Sequence, residues 1–177
     1  DHLVTNAGGP PSGPFLDTSP EDWQDAYDLL VGSTTDLCRA ASESLRADGG
    51  GTIVSITSKS VKEAVDGLVL SNSVRMAVVG LAKTLATEWA PEVRANVVMP
   101  GSHATERIEK LAASAHERGD FDSVEAAREA FVAGVPAGRM GDPARFGQVV
   151  AFLSGAPASY VNGAALMVDG GEAGSIL

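Results

Sequence analysis

Several side chains in the middle of the chain are of types that can do chemistry, among them Ser58, just after a β-branched run, and Ser71 and Arg75, near the start of a helical pattern. A serine hydroxyl titrates far above any phenol and is a poor general acid at neutral pH. Arginine does not release its proton, but its planar fork can donate to hydroxyls or to a carboxylate. His103, after Pro100-Gly101, carries an imidazole, a side chain able to pass a proton, and Lys59 and Lys62 beside Ser58 are cations. Each residue also has a plain structural reading. Ser58 can cap the end of its strand, and Ser71 is expected to be the N-cap of the helix behind it. Arg75 is either ion-paired on that helix or turned towards a ligand. The lysines and His103 are expected in exposed loops. The only tyrosines, Tyr27 and Tyr160, lie well away in sequence from these positions.

The elements that would hold these residues follow from periodicity. The chain opens on Leu3-Val4 and runs into Asn6-Ala7-Gly8-Gly9-Pro10-Pro11, a strand entering a turn. Ser19-Pro20-Glu21-Asp22 supplies an N-cap, a proline in the first turn and acids near the helix N-terminus. Trp23, Tyr27, Leu30, Thr34, Leu37, Ala41 and Leu45 then recur at helical spacing, predicting one long helix to about Ala47, before Gly49-Gly50-Gly51. Thr52–Ile56 reads as a strand, about Asn72 to Ala90 as a second long helix closed by Pro91, and Val93–Met99 as a strand ended by Pro100-Gly101. Residues 104 to 133 read as polar and helical without a strong apolar stripe. A last helix follows Asp142-Pro143, and Ala164–Val168 forms a final strand. Near-continuous apolar strands alternating with helices predict an α/β fold with a parallel sheet covered on both faces.

Composition bounds the class. The chain has 177 residues, 44% hydrophobic and 20% charged, as expected of one globular domain spanning 1–177. A formal net charge of −10 argues against nucleic acid or anionic lipid as partner, since both require a basic patch. The acidic, lysine-poor surface, with lysine only at 59, 62, 83 and 110, is what salt adaptation or a high-GC genome would produce. No apolar run approaches the roughly 20 residues of a membrane-spanning helix, and the N-terminus does not read as a signal peptide. The single cysteine, Cys38, fits a reducing, cytoplasmic compartment and is expected to be a small core residue.

Four patterns, in order, resemble the short-chain dehydrogenase/reductase family: Asn6-Ala7-Gly8; Ile53-Val54-Ser55-Ile56-Thr57-Ser58; Pro100-Gly101 with Thr105; and Gly138-Arg139-Met140-Gly141-Asp142-Pro143 through Val161-Asn162-Gly163 to Val168-Asp169-Gly170-Gly171. Together they cover essentially the whole chain. The resemblance implies the C-terminal part of a doubly wound, Rossmann-type parallel sheet, strands four to seven of the family fold. Its ligand crevice would lie at the carboxyl ends of the strands. The family's first strands and its Gly-rich phosphate turn are expected to be missing, roughly 75 residues on the size of βαβ units, so dinucleotide binding by this chain alone is expected to be weak.

The resemblance further implies an oxidoreductase using NAD or NADP on a small-molecule alcohol or carbonyl. Asn6, Ala7, Gly8, Pro100, Gly101, Thr105 and Arg75 would face the cofactor. The family's catalytic serine maps to Ser58. Its tyrosine position, thirteen residues on, holds Ser71, and its lysine position holds Arg75. The asparagine that anchors a water relay falls at Leu30, or at Leu29 if the helix is shifted by one. The standard relay uses lysine to bring a tyrosine pKa towards neutrality, so altered or weak redox activity is expected. The alternatives are a non-catalytic ligand-binding homologue and a cofactor-free lyase similar to halohydrin dehalogenases, which also place arginine at the lysine position but keep the tyrosine. Family members commonly pair their long helices, so a homo-oligomer, dimer or tetramer, is expected through Ser19–Ala47 and Asn72–Ala90. The small residues Val31, Cys38, Ala77, Ala82 and Ala86 suggest a second buried face there.

Overall fold

A computed structural model describes residues 1–47 and 49–176. Four parallel strands form one sheet in sequential order: β1 (His2–Asn6), β2 (Gly51–Ile56), β3 (Val93–Pro100) and β4 (Ala165–Val168). The register sets Val4 beside Val54, Val54 beside Asn96, and Val97 beside Ala165. Alternation along β2 then assigns its side chains to two cores. Ile53 packs with Leu45, Cys38, Leu85 and Val93 beneath the long helices, while Val54 packs with Val98, Val150 and Leu153 beneath the last helix. Helices cover both faces, as the apolar strands predict.

The first long helix is helical from α1 (Pro20–Tyr27) to α2 (Ser33–Arg46), but a π-helical turn, Asp28–Gly32, interrupts it. Its start follows the sequence reading. Ser19 and Asp22 form a reciprocal capping box, with Ser19 N donating to Asp22 Oδ2 at 2.8 Å and Asp22 N to Ser19 Oγ at 3.2 Å. The widened turn has a local cause: Ser33, Thr34 and Thr35 donate their hydroxyls back to the carbonyls of Leu29, Leu30 and Gly32. Back-bonding by adjacent hydroxyls competes with the regular ladder and opens it.

The second long helix, α3 (Val69–Glu88), begins earlier than its pattern suggests. Leu68 occupies the N-cap position, without a side-chain cap, because Leu70 is drawn fully into the core. The Asn72 amide instead fixes the preceding loop, donating to Val65 O at 2.9 Å and accepting from Val65 N at 3.3 Å. Ser71 therefore does not cap this helix; it lies buried within its first turn. Residues 104 to 133 form α4 (Glu106–Glu117) and α5 (Val124–Ala133), with a small core of Ala112, Ala115 and Ala127 against Phe121 and Phe131. That contact rests on alanines, which a search for a strong apolar stripe passes over. The last helix is α6 (Pro143–Ser154).

Of the small residues expected on a second helix face, Val31, Cys38, Ala82 and Ala86 belong to the chain's own core. Ala77 alone points outward, together with exposed Tyr27, Leu37 and Met76. Among the described residues no helix is long and apolar enough to cross a membrane.

Candidate functional site

The carboxyl ends of parallel strands gather loops from distant parts of the chain, and here they gather the residues expected to act. Arg75, one turn beyond Ser71 on α3, is only 7% exposed. Its guanidinium donates through Nε to Ser71 Oγ at 3.1 Å, through Nη1 to Thr57 O at 3.2 Å and through Nη2 to Gly8 O at 3.0 Å. It thus ties the loops following β1 and β2 to α3. Three of five N–H donors are committed and two remain. Burial lowers the Arg75 pKa to about 10, with the nearby charge of Arg107 adding to the fall.

Ser71 and Ser60 place their hydroxyl oxygens 3.2 Å apart, both buried, and Ser58 Oγ accepts from Ser60 N at 3.1 Å. Ser58, half-buried, thereby caps the short turn Lys59–Val61. The result is a group of three serines and one guanidinium joined by hydrogen bonds, one of them through the Ser60 amide, with no phenol at its centre. Such a set can orient an oxygen or hold an anion. It lacks a group that gives up a proton readily at neutral pH.

The other expected residues are distributed around this group. Asn6 ends β1 and is exposed; Ala7 is half-buried and packs on the cluster of Leu30, Val31 and Val78. Pro100 ends β3, and Gly101 N donates to Val168 O at 3.2 Å. A Cβ at Gly101 would lie 2.5 Å from both Asp169 Cβ and Glu172 Oε2, so the close approach requires glycine. Thr105 is exposed at the start of α4, its hydroxyl donating to His103 O at 3.4 Å. At the asparagine position, Leu30 is buried and Leu29 is exposed on the π turn.

Two loop expectations change. His103 is half-buried against the Phe146 ring, with centroids 5.0 Å apart. It lines a cavity of about 190 Å³ with Arg145, Phe146 and Val168, on which Ser58, Ser71 and Arg75 do not open. The structure does not bring His103 to the serines. Lys59 is not a solvated loop cation: its Nζ lies 2.7 Å from Glu172 Oε1, whereas Lys62 is exposed as expected.

Two participants escape the sequence reading. Glu172 accepts from Lys59, from Ser102 Oγ at 2.8 Å and from Ser102 N at 2.6 Å, clamping the chain after β4 over the Pro100-Gly101 turn. Arg107, two residues after Thr105, brings its guanidinium to within 3.0 Å of where a Cβ on Gly9 would stand. The only advance sign of Arg107 is its charge, which is out of place in the first turn of a helix.

A parallel α/β sheet whose polar loops converge at the strand ends is the architecture of the doubly wound nucleotide-binding proteins. Comparison with known proteins makes the assignment specific. A family model described as "Enoyl-(Acyl carrier protein) reductase" matches residues 1–172. A 3alpha-hydroxysteroid dehydrogenase from Mediterraneibacter gnavus is 34% identical over 172 residues, 96% of this chain and 64% of that protein. The D-threitol dehydrogenase of Mycolicibacterium smegmatis is 30% identical over 97% of this chain and 62% of that protein. Among solved structures, an L-sorbose reductase from Gluconobacter frateurii complexed with NADPH and L-sorbose superposes with a TM-score of 0.91 and 28% identity, covering 99% of this chain and 67% of that one. The chain belongs to the short-chain dehydrogenase/reductase family. It spans less than two thirds of the length of these curated relatives.

Proposed function

We propose that this chain forms the substrate-side part of an NAD(P)-dependent oxidoreductase-type protein whose carbonyl or alcohol turnover is weak. The observation that carries the reading is the Ser71–Arg75 contact at 3.1 Å, in the positions where the family resemblance puts tyrosine and lysine. The names of the relatives, dehydrogenases and reductases, support the reaction class.

The crevice fits a nicotinamide nucleotide on two counts. A Cβ at Gly8 would meet nothing within 4 Å, so space is open over the end of β1. Beside it, Arg75 retains two donors, suited to ribose hydroxyls. When bound, the nicotinamide supplies or accepts the hydride. Ser58 would orient the reacting oxygen by a hydrogen bond. Ser71, held between Arg75 and Ser60, would keep its proton, because an alkoxide there would be poorly stabilised.

The test is a titration of the protein with NADH and NADPH followed by backbone amide shifts. Weak but saturable shifts, reached only at millimolar cofactor and confined to Gly8, Thr57, Ser58 and the first turn of α3, are expected. Shifts elsewhere alone, or none, would remove the reading. Binding with no redox turnover of any ketone would leave a ligand-binding homologue.

A further inference from the structure

We infer that Arg75 and Arg107 together form a cradle for an anionic oxygen group, a phosphoryl or a carboxylate, above Gly8-Gly9-Pro10. The proposal deepens the reading above by naming a chemical class for the ligand. It depends on that reading only for the source of the anion.

The two guanidinium groups meet this turn from different elements. Arg75 reaches it from α3, with Nη2 on Gly8 O at 3.0 Å. Arg107 reaches it from α4, its guanidinium against Gly9 and Nη2 3.5 Å from Pro10 O. Any side chain at Gly9 would meet the Arg107 guanidinium at 3.0 Å, so glycine is what allows the arginine to lie on the backbone. Gly8 next to it faces open space. The turn therefore has one position covered by Arg107 and the next, Gly8, open.

Among the described residues neither cation has an acidic partner within 4 Å: the ion pairs there are Lys59–Glu172, Arg118–Asp120, Arg128–Glu109 and Arg128–Glu125. The chain carries 23 acidic against 13 basic residues, so acids to pair with these two arginines are not scarce. Half-buried Arg94 also has no ion pair, but its charge is answered in another way. Arg94 donates to Leu153 O, Ser154 O, Gly155 O and Val161 O, at and beyond the C-terminus of α6, where the helix dipole answers its charge. Arg107 lies instead in the first turn of α4, where the dipole is positive. Of the acids in that turn, Glu109 is taken by Arg128, and Glu106 is exposed. Arg75, the more buried partner, has its pKa lowered to about 10 by burial and by Arg107. An anion between them would answer both charges. Paired guanidinium forks match the geometry of phosphoryl and carboxylate oxygens.

Two sources offer that chemistry: the phosphates of a nucleotide, and an acidic group on the substrate. Calorimetry of the protein with inorganic pyrophosphate and with malonate separates them. Saturable binding of at least one is expected, weakened about tenfold or more in Arg107→Gln, the expected size for loss of one charge-assisted contact. Arg39→Gln, an exposed arginine elsewhere, should leave binding unchanged. Because Arg75→Met alters a buried site, the exposed Arg107→Gln variant decides the matter whether or not Arg75→Met folds. Tighter pyrophosphate binding, displaced by NADPH, would assign the cradle to the nucleotide; tighter malonate binding would assign it to the substrate. No saturable binding of either anion, or binding indifferent to Arg107→Gln, overturns the cradle. Anion binding without any response to NADH or NADPH would keep the cradle and remove the nicotinamide reading. Nicotinamide binding alongside indifferent anion titrations would do the reverse.

Discussion

Replacing Arg75 by methionine tests whether this arginine is kept for the fold or for a ligand. Two opposing effects can be sized. A pKa lowered to about 10 means that the buried cation costs folding about 3 kcal/mol. The sign is that of a base whose folded pKa is depressed: the penalty is fully present at neutral pH and fades as pH rises above about 10. Methionine removes it while filling similar volume. Against this, three hydrogen bonds go. Gly8 is exposed, so its carbonyl can take water, and Ser71 keeps Ser60 at 3.2 Å. The main loss is at the Thr57 carbonyl on a buried residue, costing about 1–3 kcal/mol. The two effects nearly cancel, so Arg75→Met should change stability by less than about 2 kcal/mol, read from the urea midpoint at neutral pH with an unchanged slope. A loss above about 4 kcal/mol would show that Arg75 is held by the fold itself, and the functional argument from its burial would fail.

Other expectations concern the frame of the site. Gly101→Ala drives a methyl into Asp169 and Glu172 and should cost about 1–3 kcal/mol, seen as a lower thermal midpoint; an unchanged midpoint would mean the Pro100 turn is not tightly packed. Cys38 is buried and its thiol pKa is raised by burial, so a disulfide exchange reagent should label it only as fast as the protein opens. Labelling as fast as a free thiol would contradict the packing of α2 on the sheet. We also propose self-association through Tyr27, Leu37, Met76 and Ala77, the outward residues of the long helices, and Met76→Glu should shift light scattering towards monomer. A wild-type monomer throughout the micromolar range would exclude this interface.

Strands and helix caps were legible because each has a local cause. Ser19 caps its helix, with Pro20 and the acids behind it, where the residues predict, and the β-branched runs form the sheet in the expected order. The π turn was hidden, since Ser33, Thr34 and Thr35 are unremarkable in a helical pattern until their hydroxyls turn back on the carbonyls. Ser71 misled for a related reason: a serine near a helix start suggests a cap, but burial of Leu70 began the helix earlier and made Ser71 an interior residue. The residues joined across the site, Arg107 to Gly9 and Glu172 to Lys59 and Ser102, are separated by 70 positions or more. No local spacing announces such contacts; only the convergence of strand ends creates them.

The central claim is that the crevice keeps the family's scaffold without its proton relay. It is tested most directly by a chimera in which this chain replaces the matching part of the D-threitol dehydrogenase. Hydride transfer from NADH and NADPH to a ketone panel is measured in the parent and in the double variant Ser71→Tyr with Arg75→Lys. General acid catalysis is typically worth about 10²–10⁴-fold, so the double variant should gain on that scale over a weak parent. High activity in the parent chimera, lost on Ser71→Ala, would make the serine the proton donor and contradict the account.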